Sequence, residues 1–580
     1  MVSSFRAKFM VVAAALSALS FAAGCGDDEP AGDRGTAGSG GGSAGTGGSE
    51  EPGGDGGQGG GGAGSGGQDG GTGGSGGDHE PEVTWSACSL PGIPLVCTTL
   101  DVPLDWSRPE GARIPYFIRK SKAAKSPKLG QIWLLVGGPG HSGEDIIGVA
   151  PYFTSMGFDV YAPDYRGTGR SAPLGCEGQD ASSVSKRCLT DLAQIWGDDL
   201  ASFSTTGAAL DLGNTIERLR EPDEKVFVFG TSYGTFLANR YMNLFPERAD
   251  GVILGGICPA TGCSVRVDRS IDLVAQETFA ACSADAFCRS KLGDDPWQTL
   301  ETIYSKLRRG HCSELAGEWS DAALSAILGG TLGERSLAPV ALATAYRADR
   351  CDPEDVVALK ALGRQVAPWI FGLTKANQPY SEYLYLNIVM SEFFDGITPN
   401  DLRDEIDRLT VAPGYGLGYA DERESWPWPL YETPSELKRW APVSTPVLMV
   451  NGTLDSATPI ADLAGIADAF SGPAQTFVRV PNEGHGAVLE SCPLGIVKAF
   501  VRDPSAEPNL SCLFSLQTLD LRGSSNLARQ TFGSRDLWEN SVPAAMSSAP
   551  AEPAESGEEP TDPGLLRAIA KGQSAIQPRW

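Results

Sequence analysis

The stretch Gly230-Thr231-Ser232-Tyr233-Gly234 constrains this chain more than any other, because an apolar run, Val226 to Phe229, enters it and a helical pattern, Phe236 to Phe245, leaves it. A serine held between two glycines at a strand-to-helix junction sits on a strained turn. The glycines let strand and helix close on each other and present Oγ to solvent. The start of the following helix also offers unpaired N–H groups and the positive end of its dipole, where a developing negative charge can rest. An ordinary glycine turn would show the same five residues, so the flanking strand and helix pattern carries the distinction.

Short apolar runs alternating with helical spacing predict an α/β fold with a mostly parallel sheet and an inserted helical cap. Leu100, Val102 and Leu104 alternate with polar residues or proline, and Ile114 to Arg119 reads as their hairpin partner. Gln131 to Val136 and Phe158 to Ala162 are continuous apolar runs, as expected of strands buried on both faces. Helical spacing from Ala208 to Leu219 precedes the strand that leads to Ser232. Val252 to Leu254 follows it, and the sheet resumes at Pro446 to Val450 and Thr476 to Val480.

Between Cys263 and Trp440 strand-like runs stop. Helices are expected there over Ile271 to Ala281, Trp297 to Leu307, Ala322 to Leu328, Pro339 to Ala348 and Pro379 to Met390, the last two opening on a proline that a first helical turn tolerates. An insertion of this kind is expected as a cap over the strand ends, where ligands bind in such sheets. The organisation predicted is a signal peptide over 1–24, a tether over 25–80, the core in two parts over 81–264 and 441–535, the cap over 265–440, and a disordered tail over 536–580 with at most a short helix from Leu565 to Ala570.

The first 24 residues have the layout of a secretory signal: basic Arg6 and Lys8, an apolar stretch from Phe9 to Ala23, and no acidic residue. The stretch is too short to span a bilayer comfortably. Cys25 follows Ala22-Ala23-Gly24 in the manner of a bacterial lipobox, whose cleavage leaves the cysteine available for acylation, although leucine is more usual where Ala22 stands. A plain cleavable signal with a stray cysteine is the alternative. Gly26 to Glu80 lacks aromatic residues and apolar runs, and reads as a flexible spacer.

Of thirteen cysteines, twelve remain once Cys25 is set aside, an even number that an exported chain can oxidise into six disulfides. Nearest-neighbour pairing would join Cys88 with Cys97, Cys176 with Cys188, Cys258 with Cys263, Cys282 with Cys288, Cys312 with Cys351 and Cys492 with Cys512, but sequence leaves the connectivity open. A metal site is disfavoured, since no cysteine pair has histidine at ligand spacing. The net charge of −26 argues against a nucleic-acid partner. The expected partner is a peptide or small acyl substrate, with a membrane engaged only through Cys25 and the oligomeric state left open. The expected location is outside the cytoplasm, as a lipoprotein of the cell envelope or a secreted protein.

A serine hydroxyl is a poor nucleophile until a neighbouring base takes its proton, so the Ser232 turn requires a histidine and a group to orient it. Four histidines exist. His79 lies in the tether, His141 in the glycine loop Gly137-Gly138-Pro139-Gly140-His141-Ser142-Gly143, and His311 beside Cys312 in the cap. His485, in Gly484-His485-Gly486 just past the last predicted strand, stands where the base belongs in the chain order Ser, Asp, His. Asp455, after the strand Pro446 to Val450, is the acid that would orient it; Asp462 is a rival inside an expected helix. This chemistry calls for no metal or organic cofactor.

Together the glycine loop, the loop from Asp164 to Ser171, Gly-Thr-Ser-Tyr-Gly, Asp455 followed by Thr458-Pro459, and Gly484-His485-Gly486 resemble the proline iminopeptidase and tripeptidyl aminopeptidase group of secreted α/β-hydrolases, over roughly Val83 to Leu513. The segments Cys88 to Trp106 and Cys492 to Cys512 resemble the tripeptidyl aminopeptidase-like members. The resemblance implies Ser232 as nucleophile, Asp455 and His485 as its partners, and an oxyanion hole from the N–H groups of Tyr233 and of a loop glycine, Gly138 before Gly137. Many relatives carry histidine where Val136 stands, which is expected to alter hydrogen bonding behind the hole more than the hole itself. Relatives also carry an acid in the cap that receives the substrate's amino group. Here Met390-Ser391-Glu392-Phe393-Phe394-Asp395 keeps Glu392 without the usual cysteine, and a solvated helix-end glutamate is the competing reading. The expected activity is that of an aminopeptidase acting through an acyl-enzyme; an esterase or lipase, or a silent binding module on the same scaffold, is the alternative.

Overall fold

A computed structural model describes residues 82–539 apart from 91, 177–183, 316–319, 371–379, 395, 426–427 and 517. The signal, the tether, the Cys25 lipid site, Pro379 and the short helix expected from Leu565 fall outside the described residues. Strands β1 (Ser86–Leu90), β2 (Ile93–Pro103), β3 (Arg113–Ser121), β4 (Gly130–Leu135), β5 (Phe158–Pro163), β6 (Val226–Thr231), β7 (Gly251–Gly255), β8 (Val447–Gly452) and β9 (Gln475–Val480) form one sheet in the order β1-β2-β3-β5-β4-β6-β7-β8-β9. The first three strands pair antiparallel with one another and, through β3, with β5. From β5 to β9 every pairing is parallel.

The continuous apolar runs explain the centre of this sheet. All residues of β4, β5, β6, β7 and β8 are buried, as strands covered by helices on both faces must be. The sequence pattern does not reveal β1, which is held to β2 by the Cys88–Cys97 disulfide and by pairing of Cys88 opposite Leu95. The register sets Leu135 opposite Gly230, Thr231 opposite Gly255 and Gly255 opposite Val450. Loops leaving β4, β6, β7 and β8 therefore emerge at one edge, the carboxyl end of the parallel strands. Helix α1 (Thr205–Leu219) leads into β6 and helix α2 (Tyr233–Leu244) leaves it.

Between β7 and β8 the chain runs through helices that include α3 (Val267–Ala284), α4 (Asp321–Leu332), α5 (Ala338–Arg350), α6 (Glu382–Ile388) and α7 (Tyr415–Ser425). Phe279, Leu300, Leu328, Leu342 and Leu359 gather in an apolar cluster of this insertion. Two expectations about the C-terminal section change. Leu521, Ala528, Phe532, Leu537 and Trp538 join the same cluster, so this stretch packs with the insertion and not with the sheet. Residues 536–538, expected to open a disordered tail, are instead packed: Trp538 is buried, and Arg347 Nε donates to Leu537 O at 2.6 Å while its Nη2 donates to Asp536 O at 3.0 Å. A polar neighbourhood hid these anchors, because Leu521, Ala528, Phe532, Leu537 and Trp538 stand scattered among polar residues and form no long apolar run.

The twelve paired cysteines form the six nearest-neighbour disulfides. That number of bridges belongs to an oxidising environment, and the chain is an exported one. Among the described residues no helix is long and apolar enough to cross a membrane.

Candidate active site

Ser232 closes the turn between β6 and α2 with φ 54° and ψ −127°, a backbone conformation that side chains other than glycine rarely adopt. The turn is tight enough that a Cβ on Gly234 would strike the Leu135 carbonyl of β4, which is why a glycine follows Tyr233. Ser232 N–H donates to Gly255 O at 2.9 Å, pinning the turn to the end of β7. The glycine loop after β4 lies directly against the serine: a Cβ on Gly137 would come 2.8 Å from Ser232 Cβ and 3.2 Å from its Oγ.

Behind that loop, the segment from Asp164 to Ser171 acts as a scaffold. Asp164 is fully buried and accepts from Arg119 Nη1, from Gly143 N–H at 2.9 Å and from Arg170 N–H at 2.9 Å. Burial pushes its carboxyl up, against the pull of Arg119 and the two amides. Tyr165 Oη donates to Val136 O at 2.9 Å, so the carbonyl of Val136 is bonded from the neighbouring loop. The N–H groups of Gly138 and Tyr233 donate to no other backbone group among the described residues. Gly138 has φ +112°, and Tyr233 is the first residue of α2, whose dipole begins there.

His485 and Asp455 meet across the loops that follow β9 and β8. Nδ1 of His485 is 2.9 Å from both carboxylate oxygens of Asp455, which is wholly buried. An ionised carboxylate only accepts, so Nδ1 carries the proton and Nε2 is the acceptor in the neutral ring. Asp455 is fixed in turn by the N–H groups of Ala457 at 3.0 Å and Thr458 at 2.8 Å, by Thr458 Oγ1 at 2.8 Å and by Asn451 Nδ2 at 3.2 Å. Burial alone would push the imidazole pKa down. The charge and hydrogen bond of Asp455, with a contribution from Glu334, outweigh it, and the value lies above that of ordinary histidine.

The ring is brought to Ser232 through β7. A Cβ on Gly256 would be 2.9 Å from His485 Cε1, and the residue before it, Gly255, accepts from Ser232 N–H. Among the described residues Ser232 Oγ makes no hydrogen bond with the ring, a contact that in such sites often tightens only when substrate binds.

The rival residues go elsewhere. Asp462 pairs with Arg269 of α3, and His311 Nε2 is 2.9 Å from Asp349 O within the insertion. Sequence reasoning gave no part to Glu334 or Thr458. Thr458 sits three residues after Asp455 in a Thr-Pro pair, a visible signal for a supporting hydroxyl. Glu334 gave none, because it reaches the site from the turn between α4 and α5, where Arg335 Nη1 also holds Glu483 at 2.9 Å.

Glu392 lies where α6 passes into a π-helical turn, and it is buried. Its Oε2 faces Arg240 Nη2 of α2 at 3.3 Å, and its Oε1 accepts from Thr205 N–H at 2.9 Å and from Tyr431 Oη at 2.8 Å. It is thus no solvated helix-end glutamate. Thr205 Oγ1 is in turn 3.1 Å from Tyr233 Oη, which links this cluster to the residue after the serine.

The model of the α/β-hydrolase fold matches residues 132–284, and that of the TAP-like proteins matches residues 419–512. Serine protease Hip1 of Mycobacterium tuberculosis is 27% identical over 38% of this chain and 49% of its own length. Tripeptidyl aminopeptidase of Streptomyces lividans is 26% identical over 30% of this chain and 38% of its own. The chain thus spans half or less of the length of these curated relatives. Proline iminopeptidase of Mycobacterium smegmatis, a solved structure, aligns at 17% identity and TM-score 0.32 over 70% of this chain and 99% of that one. By its sheet order, its strained serine turn and the match over residues 132–284, the chain has the α/β-hydrolase fold, and its residues 419–512 are similar to the TAP-like proteins.

Proposed function

We propose that the protein is an extracytoplasmic serine hydrolase, an aminopeptidase that releases residues or short peptides from a free amino terminus through an acyl-enzyme. The observation that carries this reading is the Asp455–His485 pair, with both carboxylate oxygens at 2.9 Å, beside a serine on a strained strand-to-helix turn. Ser232 Oγ attacks the scissile carbonyl while His485 Nε2 takes its proton. The oxyanion formed is met by the amides of Tyr233 and Gly138. Collapse expels the amine, which leaves with the proton held by His485, and water then attacks the ester carbon with the same base. Asp455 keeps the ring in the needed tautomer and stabilises the imidazolium.

Selectivity for a free amino terminus falls to Glu392 in this reading. A carboxylate offers about four lone-pair positions; Arg240, Thr205 and Tyr431 take three, and an ammonium group is the cation suited to the fourth. The names of the relatives, a serine protease and a tripeptidyl aminopeptidase, favour amide over ester substrates. Anchoring through an acylated Cys25 is part of the proposal and rests on the small residues before it.

The test is a fluorophosphonate probe together with paired substrates. Wild type should be labelled and Ser232→Ala should not; equal labelling of the two would end the proposal. Tripeptidyl and aminoacyl amides with free amino termini should be cleaved faster than their blocked forms, and Cys25→Ser should release the protein from membranes.

A further inference from the structure

The glycine loop contains a second imidazole–carboxylate pair that the reaction above does not use. His141 Nδ1 is 3.0 Å from Asp145 Oδ2, and that oxygen also accepts from Ser142 N–H at 3.2 Å. The Asp145 side chain is 1% exposed and that of His141 11%. The acceptor-only carboxylate sets the tautomer as Asp455 does for His485, so in the neutral ring Nε2 keeps its lone pair. Among the described residues Nε2 makes no hydrogen bond.

The ring is held on two further sides. Its Cδ2 lies 3.2 Å from where a Cβ on Gly138 would stand, and the edge of Tyr380 packs against it with centroids 4.7 Å apart. Tyr380 belongs to the insertion, and the next residue, Ser381, donates its N–H to Gly140 O at 2.9 Å. The imidazole is thus wedged between the glycine loop and the insertion, four residues beyond Gly137, the glycine that packs on Ser232. The arrangement is costly: among the described residues Asp145 Oδ1 and Ser142 Oγ are buried without a hydrogen-bond partner. Unsatisfied buried groups of this kind call for a compensating role.

We propose that His141, oriented by Asp145, contacts the substrate and accepts a hydrogen bond at Nε2 from an N–H in the acyl segment, next to the carbonyl that Ser232 attacks. This rests on the reading of Ser232 as nucleophile. The N–H has two sources in a peptide, the free α-ammonium group and a backbone amide. Either distinguishes a peptidyl acyl group from a simple fatty or acetyl ester, which has no N–H to give.

The test compares the full-length enzyme with His141→Phe, which keeps a ring against Tyr380 and Gly138 but removes the nitrogens, and His141→Gln, which restores an acceptor. The readout is the ratio of kcat/KM for an aminoacyl p-nitroanilide to that for p-nitrophenyl butyrate. His141→Phe should lower this ratio about tenfold, the scale of one substrate hydrogen bond, and His141→Gln should recover part of it. Repeating the measurement with N-acetylated anilides separates the sources: a loss confined to free amines identifies the ammonium, and a loss with both identifies the amide. An unchanged ratio in His141→Phe, whether both rates fall together or neither falls, overturns the proposal. If the wild type also fails to label at Ser232, the nucleophile assignment has failed, a result distinct from an active wild type with an unaffected His141→Phe.

Discussion

Replacing Arg240 with methionine tests how the insertion is fastened to the turn that carries Ser232. Arg240 and Glu392 are each 1% exposed in their side chains, and their charged atoms are 3.3 Å apart. At an effective dielectric near 20, two unit charges at that distance attract by about 5 kcal/mol. Breaking a buried pair by removing one partner costs roughly 3–5 kcal/mol, because the remaining charge is left uncompensated. Glu392 would keep Thr205 N–H and Tyr431 Oη, so the lower end, about 3 kcal/mol, is expected. Unfolding entropy of about 2.1 cal/mol/K per residue over roughly 450 ordered residues makes this a fall in Tm of about 3 °C, provided that the body melts as one unit.

Scanning calorimetry measures that fall directly. The double variant Arg240→Met with Glu392→Leu should melt higher than Arg240→Met alone, since no unpaired charge remains. Two results would refute the reasoning: a single variant that melts within about 1 °C of wild type, or a double variant that loses the sum of the single losses.

Three further predictions follow from the site. Asp455→Asn should leave the fold intact but lower the labelling rate of Ser232 by roughly a thousandfold or more, because the amide can present the wrong partner to Nδ1; a loss under tenfold in stopped-flow labelling would contradict the pairing. The labelling rate should rise with pH through a midpoint above that of ordinary histidine, since His485 must be neutral to accept the proton and its pKa is raised. Glu334→Gln should move that midpoint down, and an unmoved profile would deny the influence of Glu334. The same shift contributes stability that is full below the unfolded histidine value and fades as pH rises through the folded one. Cys312→Ser with Cys351→Ser opens a loop of 39 residues in sequence, for which chain entropy gives a loss of about 4 kcal/mol; a Tm within about 1 °C of the wild type would show that the bridge adds little.

What the amino-acid sequence determined by itself was local or periodic. Five apolar runs announced the buried strands, because a strand covered on both faces needs apolar residues at every position, and β4 to β8 are buried throughout. The serine turn was legible because strain and close approach demand glycine at fixed offsets, and the order Ser232, Asp455, His485 pointed to the pair that the structure brings to 2.9 Å. Twelve cysteines at short spacings made nearest-neighbour bridges the simplest pairing, and chain proximity favours the same outcome.

Tertiary structure decided the rest. Glu392 and Arg240 are 152 residues apart, and no periodicity in either helix states which residue of the other it will meet. Glu334 reaches His485 only because the turn between α4 and α5 lies on the loop after β9. Residues 521–538 belong to the insertion because the apolar cluster there had space for Trp538, a choice made by packing and not by neighbours in the chain. A sequence records how strongly each position prefers to be buried. Which partner it is buried against depends on the path of the chain between them.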